Sequence, residues 1–318
     1  MSKNRLWLGI AVLSAGLIGT AALAANVKEK ASDDKVKALV RAALHDRSDF
    51  DLPLHEEETI RKSFTLTSGT RMLDVDNVTG SIEVVGGQSD QVQLVINKTI
   101  RAESKERLEA AKKEVTLDVT EQPDLLKLYV NGPFRCNCNC NCDNDCGSGW
   151  HGDRGYVVKM DFQLQVPRNL ALKLKTVNSG NISVRDVIGN FSVNNVNGAI
   201  DMQNVGGGAA RARTVNGGVK VVFRENPKEN SDFGSINGSV DLHFVHGLSA
   251  DFRFKIFNGA VFTDFPMTSL PSQTASAENR NGKFVFRSDR YTGGRVGAGG
   301  PEIKADSLNG NIRILEQK

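Results

Sequence analysis

An Asn-Gly phrase that returns about every 20 residues constrains this chain more than any other feature. Asn178, Asn197, Asn216, Asn237, Asn258, Asn281 and Asn309 are each followed by Gly, except that Ser179 intervenes before Gly180. The spacings are 19, 19, 21, 21, 23 and 28 residues. Two residues after each Gly stands an apolar residue: Ile182, Ile200, Val219, Val240, Val261, Phe284 and Ile312. The position four after it holds Val184, Met202, Val221, Leu242, Thr263, Phe286 and Ile314. The residue before the Asn is apolar in all but one copy, as in Val196, Val215, Ile236 and Leu308. An earlier echo is Asn77-Val78-Thr79-Gly80, followed by Ile82 and Val84.

A repeat of this kind reads as a corner with a strand behind it. Asn and Gly tolerate positive φ, so the pair turns the chain at small steric cost. The alternation that follows sends every second side chain inward. One unit buries too little surface to fold alone, whereas stacked copies share a core. A meander of hairpins with Asn-Gly as two-residue turns fits the phrase. A single-stranded β-solenoid fits it better, because it gives the same residue types a reason to recur at the same phase. The expected fold is therefore all-β and β-helix-like, with ~20-residue coils. Looser β-structure and a short N-terminal helix precede it, and loops or a cap are expected around 266–276 and 292–301.

The start of the chain bears on compartment. Lys3 and Arg5 precede an uncharged apolar run from Leu6 to Leu23, closing on Ala22-Leu23-Ala24 before Ala25. This has the form of a cleavable signal peptide over 1–24. A retained anchor is the alternative, since about 18 apolar residues can just span a bilayer. Cleavage would lower the net charge from +3 to +1, because the segment holds two basic and no acidic residues. A near-neutral mature chain has no electrostatic case for nucleic-acid binding. No later segment is apolar enough to cross a membrane, so none is expected in the mature chain.

Residues 25–62 read as an amphipathic helix and a linker. Ser32 caps a helix to Arg47, with Val36, Leu39, Val40, Ala43 and Leu44 forming one stripe. Residues 49–58 are acidic, contain Pro53 and read as the linker. The β-domain is placed at 63–318. Strand alternation is legible at 63–66, 71–78, 81–85, 91–100, 116–119, 125–130 and 156–166. Glu103–Val115 interrupts it as a short helix carrying Leu108 and Ala111 on one side.

All five Cys lie in one segment: Cys136, Cys138, Cys140, Cys142 and Cys146. Between two strand runs, this segment is expected to top a hairpin insert over 132–155. In an exported chain the cysteines are disulfide candidates, and their odd number leaves one thiol for cross-linking or redox use. Four thiolates projecting on one face of an extended segment also suit zinc or copper(I), with His151 as an additional ligand. The one-residue spacing is not that of a zinc finger, and the alternatives stand side by side. No other cofactor is expected.

Few other residues suggest chemistry. His243 and His246 are three apart in a strand-like stretch and so point to opposite faces. Asp186, Asp201, Asp241 and Asp264 fall in or near the repeats, but their phases differ, so no aligned acidic row for a polysaccharide hydrolase is expected. Gly206-Gly207-Gly208 lacks the Lys-Ser/Thr pair of a phosphate loop and reads as a turn. The ladder residues Asn178, Asn197, Asn216, Asn237 and Asn258 are expected to hydrogen-bond along the stack.

The Asn-Gly-x-Ile-x-Val phrases from 176 to 263 and the closing Leu308-Asn309-Gly310-Asn311-Ile312-Arg313-Ile314 resemble the bacterial putative-adhesin family, which includes LiaG-like envelope proteins. The resemblance covers about 63–318 and carries no catalytic residues. It implies a β-solenoid at the cell envelope, exported to the periplasm or cell surface. The function expected is a non-catalytic scaffold that binds an envelope polysaccharide or a surface protein. A metal-binding, redox or cross-linking module at Cys136–Cys146 is the alternative.

Overall fold

A computed structural model describes residues 52–66, 72–135, 154–271, 276–280, 283–287 and 291–318. The chain divides into two units, Met1–Leu52 and Pro53–Lys318, and the described residues belong almost wholly to the second. The expected signal peptide, the helix over 32–47, the Cys136–Cys146 segment, His151 and Asn281 lie outside the described residues.

The class is all-β with one described helix. The first half holds β1 (Leu54–Thr65), β2 (Met72–Asp76), β3 (Ile82–Gly87) and β4 (Gln91–Ala102), then α1 (Lys105–Glu114), β5 (Thr116–Glu121), β6 (Leu125–Asn131), β7 (Tyr156–Pro167) and β8 (Ala171–Lys175). The repeat region holds β9 (Ile182–Arg185), β10 (Ile188–Asn194), β11 (Ile200–Asn216), β12 (Val219–Phe223), β13 (Ser231–Asn237), β14 (Val240–Phe244), β15 (Ala250–Asn258) and β16 (Val261–Thr263). The C-terminal part adds β17 (Thr268–Leu270), β18 (Ser276–Arg280), β19 (Lys283–Arg287), β20 (Thr292–Val296), β21 (Glu302–Asn309) and β22 (Ile312–Glu316). Twenty of these strands join one curled, open sheet, and β18 and β19 form a separate hairpin.

The curled sheet has two files of parallel strands. One runs β7–β3–β9–β11–β12–β14–β22–β16, and the other β6–β2–β8–β10–β11–β13–β21–β15. The long strand β11 serves both files, with its first half in one and its second half in the other. Antiparallel strands finish the margins: β1 on β4 and β4 on β7 at one end, β5 on β6 beside them, and β20 on β15 with β17 on β20 at the other.

Register follows the repeat. Ile82, Ile182, Ile200, Val219, Val240, Ile312 and Val261 stand side by side, and so do Val84, Val184, Met202, Val221, Leu242, Ile314 and Thr263. All of these but Val261 and Thr263 are buried. The facing file contributes Val75, Leu174, Val193, Ala212, Phe233, Ala305 and Phe254. Phe233 thus stands between two alanines, which leaves room for its ring where identical large residues would collide. Toward the C-terminal end Phe223 stacks on Phe244, and Phe252 and Phe265 meet Phe244 edge-on.

Stacking order differs from chain order. The C-terminal strands β21 and β22 insert between the β13–β14 unit and the β15–β16 unit. At the other end, the β6–β7 unit lies outside the β2–β3 unit that precedes it in sequence. The parallel region therefore begins at Met72, where looser β-structure was expected. Residues 268–270 and 292–296, which lie in the stretches expected to be loops or a cap, are the strands β17 and β20.

Two further expectations change. The acidic stretch after Pro53 is part of β1 and runs across the expected boundary at 62. Charged side chains suit an exposed edge strand, and only Phe64 of β1 is buried. The flanks of the Cys segment form no hairpin: β6 and β7 pair with other strands, in different files. β6 ends at Asn131, whereas β7 begins at Tyr156, six residues before the Phe162 that stands beside Ile82. Helix α1 does form, capped by Ser104, whose Oγ accepts from Arg107 N at 3.3 Å. Ala111 is its buried residue, and Lys98 Nζ donates to Val115 O at 2.9 Å just past its C-terminus. Burial holds the Lys98 pKa below its ordinary value.

Candidate functional site

The recurring corner lines one edge of the stack with three parallel files of side chains. The outermost is a ladder of exposed carboxamides. Asn197 Nδ2 donates to Asn178 Oδ1 at 2.8 Å, Asn216 to Asn197 at 2.7 Å and Asn237 to Asn216 at 2.8 Å. Asn309 then donates to Asn237 at 2.8 Å and Asn258 to Asn309 at 2.7 Å. Six of the seven corner asparagines are brought together in this order, and Asn281 is the one outside the described residues.

Two residues before each ladder Asn runs a buried polar file that sequence reasoning missed: Thr176, Asn195, Thr214, Ser235 and Ser307. Each donates to the carbonyl of a glycine one unit back: Gly80, Gly180, Gly198, Gly217 and Gly238, at 2.7–3.1 Å. Asn77 belongs to this inner file as well, donating to Met160 O at 2.9 Å, and Thr79 is the residue beside Asn178. The echo read as an outer corner thus lies two positions inward. The signal was available, as Thr, Asn or Ser recurs at that phase. In the β15–β16 unit the place is taken by Ile256.

Between the two polar files lies an apolar one: Val177, Val196, Val215, Ile236, Leu308 and Phe257 in stacking order. Exposure grows along it, from half-buried valines to 43% at Ile236, 46% at Leu308 and 77% at Phe257.

The ladder asparagines are not turn residues in positive φ. Among the described non-glycine residues that conformation occurs at Ser179, Asp186 and Asn204. The glycine after each Asn is needed chiefly for close approach. A Cβ on Gly238 would lie 2.0 Å from Gly217 O, although Gly238 itself has no positive φ.

The outer faces carry charge in compensated rows. Arg213 reaches Asp232 through Nε at 3.1 Å and through a shorter Nη2 contact, and Nη2 also donates to Asp306 Oδ2 at 2.7 Å. One guanidinium over Gly234 so ties three neighbouring strands, and its carboxylate partners raise its pKa against the opposing effect of burial. On the other face Asp201, Lys220, Asp241 and Arg313 alternate in sign along one row. Asp201 and Asp241 therefore share a phase, contrary to the sequence reading. A lysine separates them, and Arg313 binds Asp241 at 3.0 Å. Asp186 accepts from Asn204, and Asp264 accepts from Glu316 N at 3.0 Å. His243 is half-buried and His246 exposed, the latter 2.7 Å from Glu316.

Among the described residues no group of three or more His, Cys, Asp or Glu side chains could hold a metal, and no helix is long and apolar enough to cross a membrane. A cleft of about 260 Å³ lies between Phe64–Leu66 and Glu121–Leu126, smaller than most small-molecule sites.

No family model matches the chain, and no curated protein matches it in sequence. Among solved structures it is similar to a putative cell adhesion protein of Clostridium sporogenes, at 10% identity over 82% of this chain and 100% of that one, with a TM-score of 0.35. It is also similar to a putative adhesin of Bacteroides fragilis, at 12% identity over 82% and 97%, with a TM-score of 0.36. A putative lipid binding protein of Parabacteroides distasonis matches at 10% identity over 82% and 97%, with a TM-score of 0.29.

Proposed function

We propose that this chain is a non-catalytic, exported cell-envelope protein, a β-solenoid scaffold whose asparagine-lined edge binds an envelope polysaccharide. The solenoid reading is supported by in-register pairing of equivalent strands and by two ladders that follow the repeat. Export is supported by the basic head and apolar run before Ala25.

The exposed carboxamide ladder carries the binding assignment. Each Asn side chain offers two N–H donors and an acceptor oxygen with two lone pairs. An interior ladder residue uses one donor and one lone pair on its neighbours. One donor and one acceptor per unit are left for solvent, repeated at the strand spacing of about 4.8 Å. The apolar file beside them offers contact for the C–H faces of sugar rings. A polymer of neutral sugars presents the same two chemistries in repetition. The candidate acids of a hydrolase are each tied to a cation, an amide or a backbone N–H, which suits binding better than cleavage.

Binding of the mature chain to peptidoglycan and to a panel of neutral and acidic polysaccharides tests this. Replacing Asn216 and Asn237 together by Ala should weaken polysaccharide binding about tenfold, as expected for one or two lost hydrogen bonds. Retention of full affinity by a folded double variant, or absence of binding to every glycan, would refute it. The second reading, a metal or redox module at Cys136–Cys146, rests on five cysteines gathered in one short segment. Metal analysis and thiol counting separate its versions. Complete oxidation with no bound metal would remove the metal form.

A further inference from the structure

The units of the ladder are not equally secured, and the difference falls on a chemically labile pair. An Asn followed by Gly can cyclise: the glycine amide nitrogen attacks Asn Cγ, and the small side chain of Gly does not obstruct it. In the interior of the stack three restraints oppose this. The Asn carboxamide both donates to one neighbour and accepts from the next, as Asn216 does between Asn197 and Asn237. From Asn216 onward the glycine N–H is engaged as well, with Gly217 N donating to Asn237 O at 3.1 Å, Gly238 N to Asn309 O at 3.0 Å and Gly310 N to Asn258 O at 2.9 Å. The glycine carbonyl accepts from the inner polar file, as Gly217 O does from Ser235 Oγ at 2.7 Å.

Asn258-Gly259 stands at the open end of the ladder and lacks all but one half of these restraints. Asn258 Nδ2 donates to Asn309, while among the described residues no group donates to Asn258 Oδ1 and none accepts from Gly259 N. Among the described residues none donates to the Gly259 carbonyl. Ile256 replaces the hydroxyl that would otherwise secure Gly310 O, which loosens the same end of the stack. Phe257, Asn258, Gly259 and Ala260 are all exposed. The opposite end of the ladder is Asn178, where Ser179 follows and the β2–β3 unit lies beyond.

We propose that Asn258 is a site of spontaneous, succinimide-mediated deamidation, and that its position at the end of the stack sets it apart from the other ladder asparagines. Gly259 N gives up its proton to solvent base and forms a bond to Asn258 Cγ. The Cγ–Nδ2 bond breaks and ammonia leaves. Water then opens the succinimide at either carbonyl, giving aspartate or isoaspartate, so the reaction requires no co-reactant but water. The product places a negative charge beside Phe257 and deprives the last ladder bond of its donor.

Incubating the full chain at mildly alkaline pH and mapping peptides by mass spectrometry, with fragmentation that distinguishes isoaspartate, tests the assignment. In the folded protein Asn258 should convert more than about tenfold faster than Asn197, Asn216 or Asn237, because ends open locally at far smaller free-energy cost than interior strands. Asn309, secured on its glycine N–H but not on its glycine carbonyl, should fall between. In denaturant the Asn-Gly pairs at 197, 216, 237, 258 and 309 should react within a few-fold of one another. Equal rates in the folded state, or an Asn258 that stays intact while an interior ladder residue converts, would overturn the proposal. Asn258→Gln should abolish the mass gain in its peptide and leave the other peptides unchanged.

Discussion

At the residue scale, the Asn-Gly phrase serves packing more than turning. Gly238 shows this most clearly, because its backbone conformation is open to any residue while its missing side chain is not optional. Gly238→Ala would press a methyl group onto Gly217 O, and we expect a loss of about 1–3 kcal/mol in urea denaturation, the usual cost of overpacking. Gly247 has φ +78° and nothing within 4 Å of the added atom, so Gly247→Ala should cost only the left-handed conformation, about 1 kcal/mol. The two polar files should also differ. Thr214→Val leaves the Gly198 carbonyl without its buried donor and should cost about 1–3 kcal/mol. Asn216→Ala breaks two exposed ladder bonds whose partners can turn to water, so its cost in the same assay should be smaller, near 1 kcal/mol or less.

At the element scale, the strands that matter to pH are those carrying the outer row of β12, β14 and β22. His243 lies there between Val222 and Leu315, facing Lys220, Asp241 and Asp264. Burial, with Lys220 adding to it, holds its pKa below the ordinary 6.5, against the weaker pull of the two aspartates. The unfolded chain therefore takes up this proton first as pH falls. Stability from the neutral imidazole is fully present above about pH 6.5 and declines as pH drops toward the folded value. His243→Gln should flatten that part of the stability–pH curve, measured as the urea midpoint between pH 7.5 and 5. The same face carries Asp241 bound to Arg313, a contact that ties the C-terminal strand to its neighbour.

At the scale of the whole molecule, the C-terminal strands act as an inserted unit. The β15–β16 unit contacts the β13–β14 unit by no strand pair of its own, and β21 and β22 join them in both files. Deleting 302–318 would strip Val240, Leu242, Phe252 and Phe254 of their neighbours on one side. We expect the truncated chain to lose protection from hydrogen exchange throughout 250–270, while 72–223 stays protected because its pairings lie wholly within the remaining chain. Uniform protection across 250–270 in the truncated chain would show that the insertion is dispensable.

What the sequence determined by itself is local and periodic. The alternation after each Asn-Gly identified the inward residues of β9, β11, β12, β14 and β22, because burial on one face of a strand leaves a period of two in the residue types. The recurrence at a fixed phase likewise pointed to aligned asparagines, since only neighbouring equivalents can share a ladder. Helix α1 was readable from its Ala, Glu and Lys content. The tertiary structure alone decided which unit lies beside which. Backbone hydrogen bonds between strands carry no residue code, so nothing in residues 302–316 announces that they sit between units at 231–244 and 250–263. Long-range pairing likewise turned an acidic stretch into the edge strand β1 and put β6 and β7 in different files. It also left Asn258-Gly259 at the end of the ladder among the described residues. The phrase that most constrains the fold is thus the same in every unit, and its surroundings make one copy of it different.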